Sequence, residues 1–293
     1  MWLIVLNRKS GKGRASLLSQ DLLSLLKKDG KDFKVIDENT AEQTRIQLSK
    51  EIANPKLETV VAIGGDGLVH LCIQLLANSD IGFAVIASGT GNDFARSMGF
   101  HRKKVFDIYN HISRSNSTKI DLGVVKSMVK QEWFVQVLST GFDSNVNYLA
   151  NKVRKPRGKI KYTIAMLLVL AKFRPIKYEV ELDGNILMAE SMFFSVANAS
   201  NYGGGMMISP LASNTDGILN LIAVDPVSRF TLLRIFPRVF SGTHIKHPKV
   251  KSYTAKQISM KADTWAYADG EFISKLPVDI SVDKSSLKTW HMA

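Results

Sequence analysis

The sequence predicts an α/β + β chain: an N-terminal α/β domain with a mostly parallel sheet, followed by a larger, mostly antiparallel β-sandwich domain. Three observations carry this. Up to about residue 120, short β-branched runs alternate with stretches of helical apolar spacing, the pattern of a parallel sheet covered by helices. Beyond Asp121, strand-like runs follow one another more closely, as in an antiparallel sandwich. The 293 residues are 45% hydrophobic and 22% charged, enough apolar material for two cores at roughly 150 residues per domain.

In order, Leu3 to Leu6 reads as a buried strand, and Leu17, Leu18, Leu22, Leu25 and Leu26 mark a helix that Gly30 ends. Strand runs at Phe33 to Ile36, Thr59 to Ile63 and Phe83 to Ala87 alternate with helices at Ala41 to Ile52 and Val69 to Ala77. The second half offers strands at Trp133 to Leu138, Ile176 to Leu182, Met192 to Ala197, Ile218 to Val224, Gln257 to Met260, Thr264 to Ala268 and Val278 to Val282. Helical segments near Lys161 to Ala171 and Val227 to Phe240 interrupt them. The change of pattern sets the expected domains at 1–121 and 122–283, with 284–293 packing back on the first.

Bulk chemistry narrows the class. The opening MWLIVLN lacks a basic n-region, so it reads as a first strand and not a signal peptide. The longest apolar run, Ile164 to Ala171, falls far short of the roughly 18 residues a spanning helix needs, so a peripheral, cytoplasmic protein is expected. Cys72 is the only cysteine, which rules out an intramolecular disulfide and reads as a small buried apolar residue. The formal charge of +13 points to an anionic partner. It is uneven: Ser144 to Tyr178 carries nine Lys/Arg and no acid, and Pro226 to Ala262 carries eight and no acid.

The strongest local motif is Gly64-Gly65-Asp66-Gly67, directly after the strand TVVAI and before a helix. Glycines there let the backbone turn and approach phosphate oxygens, and a helix N-terminus favours negative charge. Asp66 beside such a site suits the positioning of Mg²⁺ or acceptance of a hydroxyl proton. The same string also serves as a plain turn into a helix. Asn7 to Gly13, NRKSGKG, is a second glycine-bearing turn after a strand; it is not a Walker A loop, since it lacks that motif's first glycine and the hydroxyl after its lysine. Ser88 to Arg96, SGTGNDFAR, is a third, in which Asn92 or Asp93 can cap a helix. Three such turns at the C-terminal ends of three sheet strands define a ligand crevice better than any one does.

In this order, with 23 residues from Asp66 to Gly89, these motifs resemble the nucleotide site of the diacylglycerol kinase catalytic-domain family, which includes the sphingosine and ceramide kinases. The resemblance continues through Ile120-Asp121-Leu122-Gly123, Pro210 to Leu219 (PLASNTDGIL) and Asp269-Gly270-Glu271. It implies ATP and Mg²⁺ as cofactors and phosphorylation of a lipid hydroxyl, diacylglycerol first among candidates. Asn7, Arg8, Lys9, Ser10, Gly11, Gly64, Gly65, Asp66, Gly67, Leu68, Val69, His70 and Thr90 would surround the nucleotide, with Thr40 nearby. Asp216 and the main-chain carbonyls of Ser213 and Ile218 would hold Mg²⁺, a cation that prefers such oxygens. Glu271 would be the general base, with Asp66 and Asp121 extending the acidic network. From the residues alone, Asp216-Gly217 and Asp269-Gly270 are also ordinary turn dipeptides.

The chain departs from the family at Arg8, where proline is usual, and at Leu68, Val69 and His70, where a Thr-Asn-Glu type continuation is usual. Ala87 and Thr215 depart as well. His70 is read as a solvated helix-face histidine in preference to a nucleotide contact. The basic segment from Lys152 to Lys161 leads into Ile164 to Ala171, closed by Lys172, Arg174 and Lys177, and suits transient binding at the anionic inner face of a membrane. A core helix with a solvated basic rim fits the same residues. Competing readings are a soluble-substrate kinase of the NAD-kinase type and a catalytically silent nucleotide- or lipid-binding protein. Nucleic acid is not an expected partner, for want of a recognised motif or aromatic platform, and a homodimer is compatible with the sequence.

Overall fold

The computed structural model describes residues 1–152 and 159–292. The chain divides into two compact units, residues 1–122 with 284–293 and residues 123–283.

The first unit alternates strand and helix. Its elements are β1 (Trp2–Leu6), α1 (Arg14–Lys28), β2 (Phe33–Ile36), α2 (Ala41–Ile52), β3 (Thr59–Gly64), α3 (Asp66–Leu76), β4 (Gly82–Ala87), α4 (Asp93–Ser97) and α5 (Val105–Arg114). The strands run parallel in the order β2-β1-β3-β4. β1 and β3 are buried along their whole length, as central strands covered on both faces require. α1 buries Ala15, Ser19, Leu22 and Leu26, one stripe of the amphipathic pattern, while α3 buries nearly all its faces, Cys72 among them. Burial pushes the Cys72 thiol up to about 12, which makes it inert packing. The end of the chain completes this sheet: Thr289 pairs in parallel with Phe83, and the Trp290 ring lies where a Cβ on Gly82 would come within 2.3 Å.

The second unit contains β5 (Thr118–Lys126, which enters it from the first), β6 (Gln131–Phe134), β7 (Val137–Thr140), α6 (Phe142–Lys152), α7 (Lys159–Lys172), β8 (Ile176–Leu182), β9 (Asn185–Ser191), β10 (Phe193–Ala197), β11 (Leu219–Val224), α8 (Arg229–Ile235), β12 (Val250–Ala255), β13 (Gln257–Lys261), β14 (Trp265–Ala268), β15 (Glu271–Lys275) and β16 (Val278–Thr289, which leaves it). One layer holds β5, β6, β8, β9, β13 and the first part of β16; the other is antiparallel in the order β12-β11-β10-β7-β14-β15. The core between them joins Tyr178, Val180, Ile258 and Met260 of one to Leu138, Phe194, Val196 and Leu221 of the other. α6, α7 and α8 cover the outer face of the second layer through Phe142, Val146, Ala165, Leu170, Leu232 and Ile235.

Two elements depart from expectation. The run Trp133 to Leu138 is not one strand: β6 ends at Phe134 and β7 begins at Val137 in the other layer. The Asp269 carboxylate accepts the N–H groups of Val135, Gln136 and Val137 at 2.8, 2.9 and 3.1 Å, replacing the ladder where the chain changes sheet. The helix near Val227 to Phe240 tightens after Ile235 into a 3₁₀ segment, Phe236–Ser241, with Pro237 in its first turn.

Candidate active site

The three glycine-bearing turns of the first unit meet at the C-terminal ends of β1, β3 and β4. Ser88 and Gly89 both donate to the Gly64 carbonyl, at 2.9 and 3.3 Å, and Asn7 donates to Ile63 at 3.0 Å. The loops approach so closely that side chains are excluded. A Cβ on Gly11 would stand 2.3 Å from the Ser88 carbonyl oxygen, one on Gly89 2.6 Å from the Gly65 Cα, and one on Gly91 2.5 Å from Asp66 Oδ2. Gly11, Lys12 and Gly13 all have positive φ, which wraps the first loop back across the sheet edge. Thr90, Asn7, Lys9 and Lys12 are exposed around this cradle, and Ser10 is half-buried.

Asp66 ties the cradle together. Its carboxylate accepts from the N–H of Asn92 (2.9 Å) and of Asp93 (2.7 Å), capping α4, and Asn92 is held in the left-handed region while its amide donates to Gly89 at 2.9 Å. Asp121 is buried and accepts the N–H of Ser285 at 2.8 Å. Thr40 is the N-cap of α2, accepting from Gln43 at 3.2 Å. Arg8 forms an exposed ion pair with Asp37. In the first turns of α3, Leu68 packs beside Gly64, whereas Val69 and His70 lie on its buried side. His70 is therefore not the solvated helix-face histidine the sequence suggests. It is 6% exposed, with Gln74 at 3.5 Å from its Nε2, because α3 is covered on nearly every face.

In the second unit, Asp216 stands exposed in a turn, its Oδ1 accepting the Ile218 N–H at 3.0 Å, while the Ser213 and Thr215 hydroxyls lie 3.0 Å apart. Among the described residues no group of three or more His, Cys, Asp or Glu could hold a metal. The exposed Asp216 carboxylate is an oxygen donor of the kind a hard cation takes. Asp269 and Gly270 form the β14–β15 hairpin, where Asp269 serves as the clamp described above. Glu271 follows at the start of β15, exposed and without a partner among the described residues.

Sequence reasoning passed over a polar cluster on the outer face of the β7–β10 layer. Ser139 and Ser195 are cross-strand neighbours, both buried, and α6 lays Asp143 and Asn147 over them. Asn147 donates to the Ser139 hydroxyl at 3.3 Å and to the Tyr202 phenol at 2.7 Å. Burial pushes the Asp143 carboxyl up to about 6, and the Ser139 hydrogen bond only partly opposes this. The signal in the sequence is weak: a polar residue every second or fourth position looks like any solvated face.

Residues 1–125 match the diacylglycerol kinase catalytic domain model, and residues 136–290 match the YegS C-terminal NAD kinase beta sandwich-like domain. A diacylglycerol kinase of Mycobacterium tuberculosis is 35% identical over 285 residues, covering 96% of this chain and 92% of that protein. One from Staphylococcus aureus is 26% identical over 281 residues, covering 94% and 87%. A crystal structure of a diacylglycerol kinase from Bacillus anthracis shares the fold with a TM-score of 0.72 at 17% identity, over 99% of this chain and 96% of that one. Domain models over both halves and a relative this similar along nearly the full length agree with the glycine cradle, and place the chain in the diacylglycerol kinase family, phosphotransferases whose acceptor is an alcohol.

Proposed function

We propose that the protein transfers the γ-phosphoryl group of ATP, with Mg²⁺, to a hydroxyl of a membrane lipid, and that a diacylglycerol is the favoured acceptor. The observation that carries this is the cradle, where three loops meet with no room for a Cβ at Gly11, Gly89 or Gly91. Phosphate oxygens need such close approach of main-chain N–H groups. Gly64, Gly65 and Gly67 at the start of α3, the Asn7 to Gly11 turn and Thr90 would bind the phosphates and ribose, with Lys9 as a counter-charge. Thr40, Leu68, Val69 and His70 would act at one remove, by setting the ends of α2 and α3.

Asp66 would keep the loop after β4 in place and lie near the reacting groups, while Asp121 holds its own segment through Ser285. Asp216 with the carbonyls of Ser213 and Ile218 would hold Mg²⁺, which when bound would supply fixed positive charge. Glu271 would take the proton of the attacking hydroxyl; its unpartnered carboxylate supports that role. No helix among the described residues is long and apolar enough to cross a membrane. Action at the anionic inner face of a membrane is proposed through the basic stretch from Lys152 to Lys177, of which 153–158 lie outside the described residues.

The test is transfer of labelled γ-phosphate from ATP to a panel of lipids in mixed micelles, with NAD as a soluble control. A labelled diacylglycerol, lost in Glu271→Gln by about a hundredfold or more, supports the reading. Label on NAD alone would favour the soluble-substrate alternative that the description of the C-terminal match keeps open.

A further inference from the structure

The second acid-free stretch, 226–262, finds a place in the fold that the reaction does not call for. α8 and the 3₁₀ segment after it bury Leu232, Ile235 and Val239 against the unit. Their opposite face is exposed and apolar at Phe230 (78%), Leu233 and Phe240 (50%), with exposed Arg229, Arg234 and Arg238 interspersed. α7 packs on the same cluster as α8 and likewise turns Ile164, Leu167 (50%) and Leu168 (55%) outward, a stripe at i, i+3 and i+4. Cations at Lys172, Arg174 and Lys177 follow it.

We infer that α8 and the 3₁₀ segment form, beside α7, a bilayer-docking face of the second unit that inserts Phe230, Leu233 and Phe240 among the acyl chains of an anionic phospholipid surface. The inference rests on the lipid-kinase reading above and extends it to residues that take no part in transfer. Charge decides the occupant. With no acid between Pro226 and Ala262, a second copy laid on this face would set cation against cation, whereas anionic headgroups neutralise the arginines as the rings enter the layer. Protruding phenylalanine and leucine beside arginine match the composition of helices that lie in a membrane interface. The short α8 cannot go deeper, since it has seven residues and passes at Phe236 into a six-residue 3₁₀ segment that carries Pro237 in its first turn and ends at the left-handed Gly242.

The experiment uses the full chain and sedimentation with sucrose-loaded vesicles, either phosphatidylcholine alone or equal parts phosphatidylcholine and phosphatidylglycerol. Three proteins are compared: wild type, Phe230→Ser with Leu233→Ser, and Arg229→Gln with Arg234→Gln and Arg238→Gln. The wild type is expected to prefer the anionic vesicles, and the arginine variant to bind them on the order of a hundredfold more weakly. Both variants should phosphorylate a short-chain, freely soluble diacylglycerol at the wild-type rate. Unchanged vesicle binding by either variant overturns the inference, as does a change in sedimentation coefficient showing that the face joins two copies. Vesicle binding without phosphorylation of any lipid would instead sink the kinase reading and leave the docking face standing.

Discussion

Asp66 shows how one side chain serves both architecture and chemistry. Its two main-chain hydrogen bonds are charge-assisted, so Asp66→Ala is expected to cost about 2–4 kcal/mol in urea unfolding while the protein stays folded at 25 °C. Turnover should vanish; turnover that survives the loss of stability would reduce Asp66 to a loop anchor. Asp143 poses a different question. Burial raises its folded-state carboxyl from 3.8 to about 6, so the folded chain holds this proton more tightly than the unfolded chain does. Stability from this group is therefore full below pH ~4, falls as pH rises, and is lost above pH ~6. Asp143→Asn removes the penalty and should be more stable than wild type at pH 7.5 by up to about 3 kcal/mol, with the gap closing by pH 4. Denaturation curves at both pH values check the sign, and equal curves would show that the carboxyl is solvated.

At the scale of elements, the hairpin between β14 and β15 is held by the residue that the motif makes conspicuous for another reason. Asp269 accepts three successive N–H groups and lets β6 hand over to β7 without orphaned donors. Asp269→Ala is expected to lower stability by about 3 kcal/mol or more, read from the urea midpoint at unchanged slope. A loss below about 1 kcal/mol would mean that water replaces the clamp. The elements most legible in the sequence were those with one strong period. α2 and β8 fall on Ala41 to Ile52 and Ile176 to Leu182, because one face of each is apolar and the ends carry capping or turn residues. β5, β9, β12 and β15 did not show, since polar and apolar residues mix on both sides of each, as in β9, which exposes Ile186 and Met188 while packing Leu187 and Ala189 inward, and the strands are defined by their neighbours.

For the molecule as a whole, the first unit is built from both ends of the chain. Thr289 donates to the Phe83 carbonyl at 2.8 Å, Trp290 donates to Ser115 at 3.1 Å, and Met292 donates to Met98 at 2.9 Å. Trp290→Ala should therefore destabilise the N-terminal unit by about 3–5 kcal/mol, measured by thermal unfolding, although more than 200 residues separate it from Gly82. An unaltered transition would mean that the terminal strand is an accessory. The sequence by itself determined the α/β half, the order of its glycine turns and the family, because those properties are local: a period, a spacing, a run of small residues at a strand end. Only the tertiary structure decided that Gly65 meets Gly89 and Gly11 meets Ser88, that His70 is buried, that Asp66 caps a helix and that α6 carries Asp143 over Ser139. These depend on which surfaces distant segments bring together, and the free energy of burial is a property of the assembled layers and of no single stretch of chain.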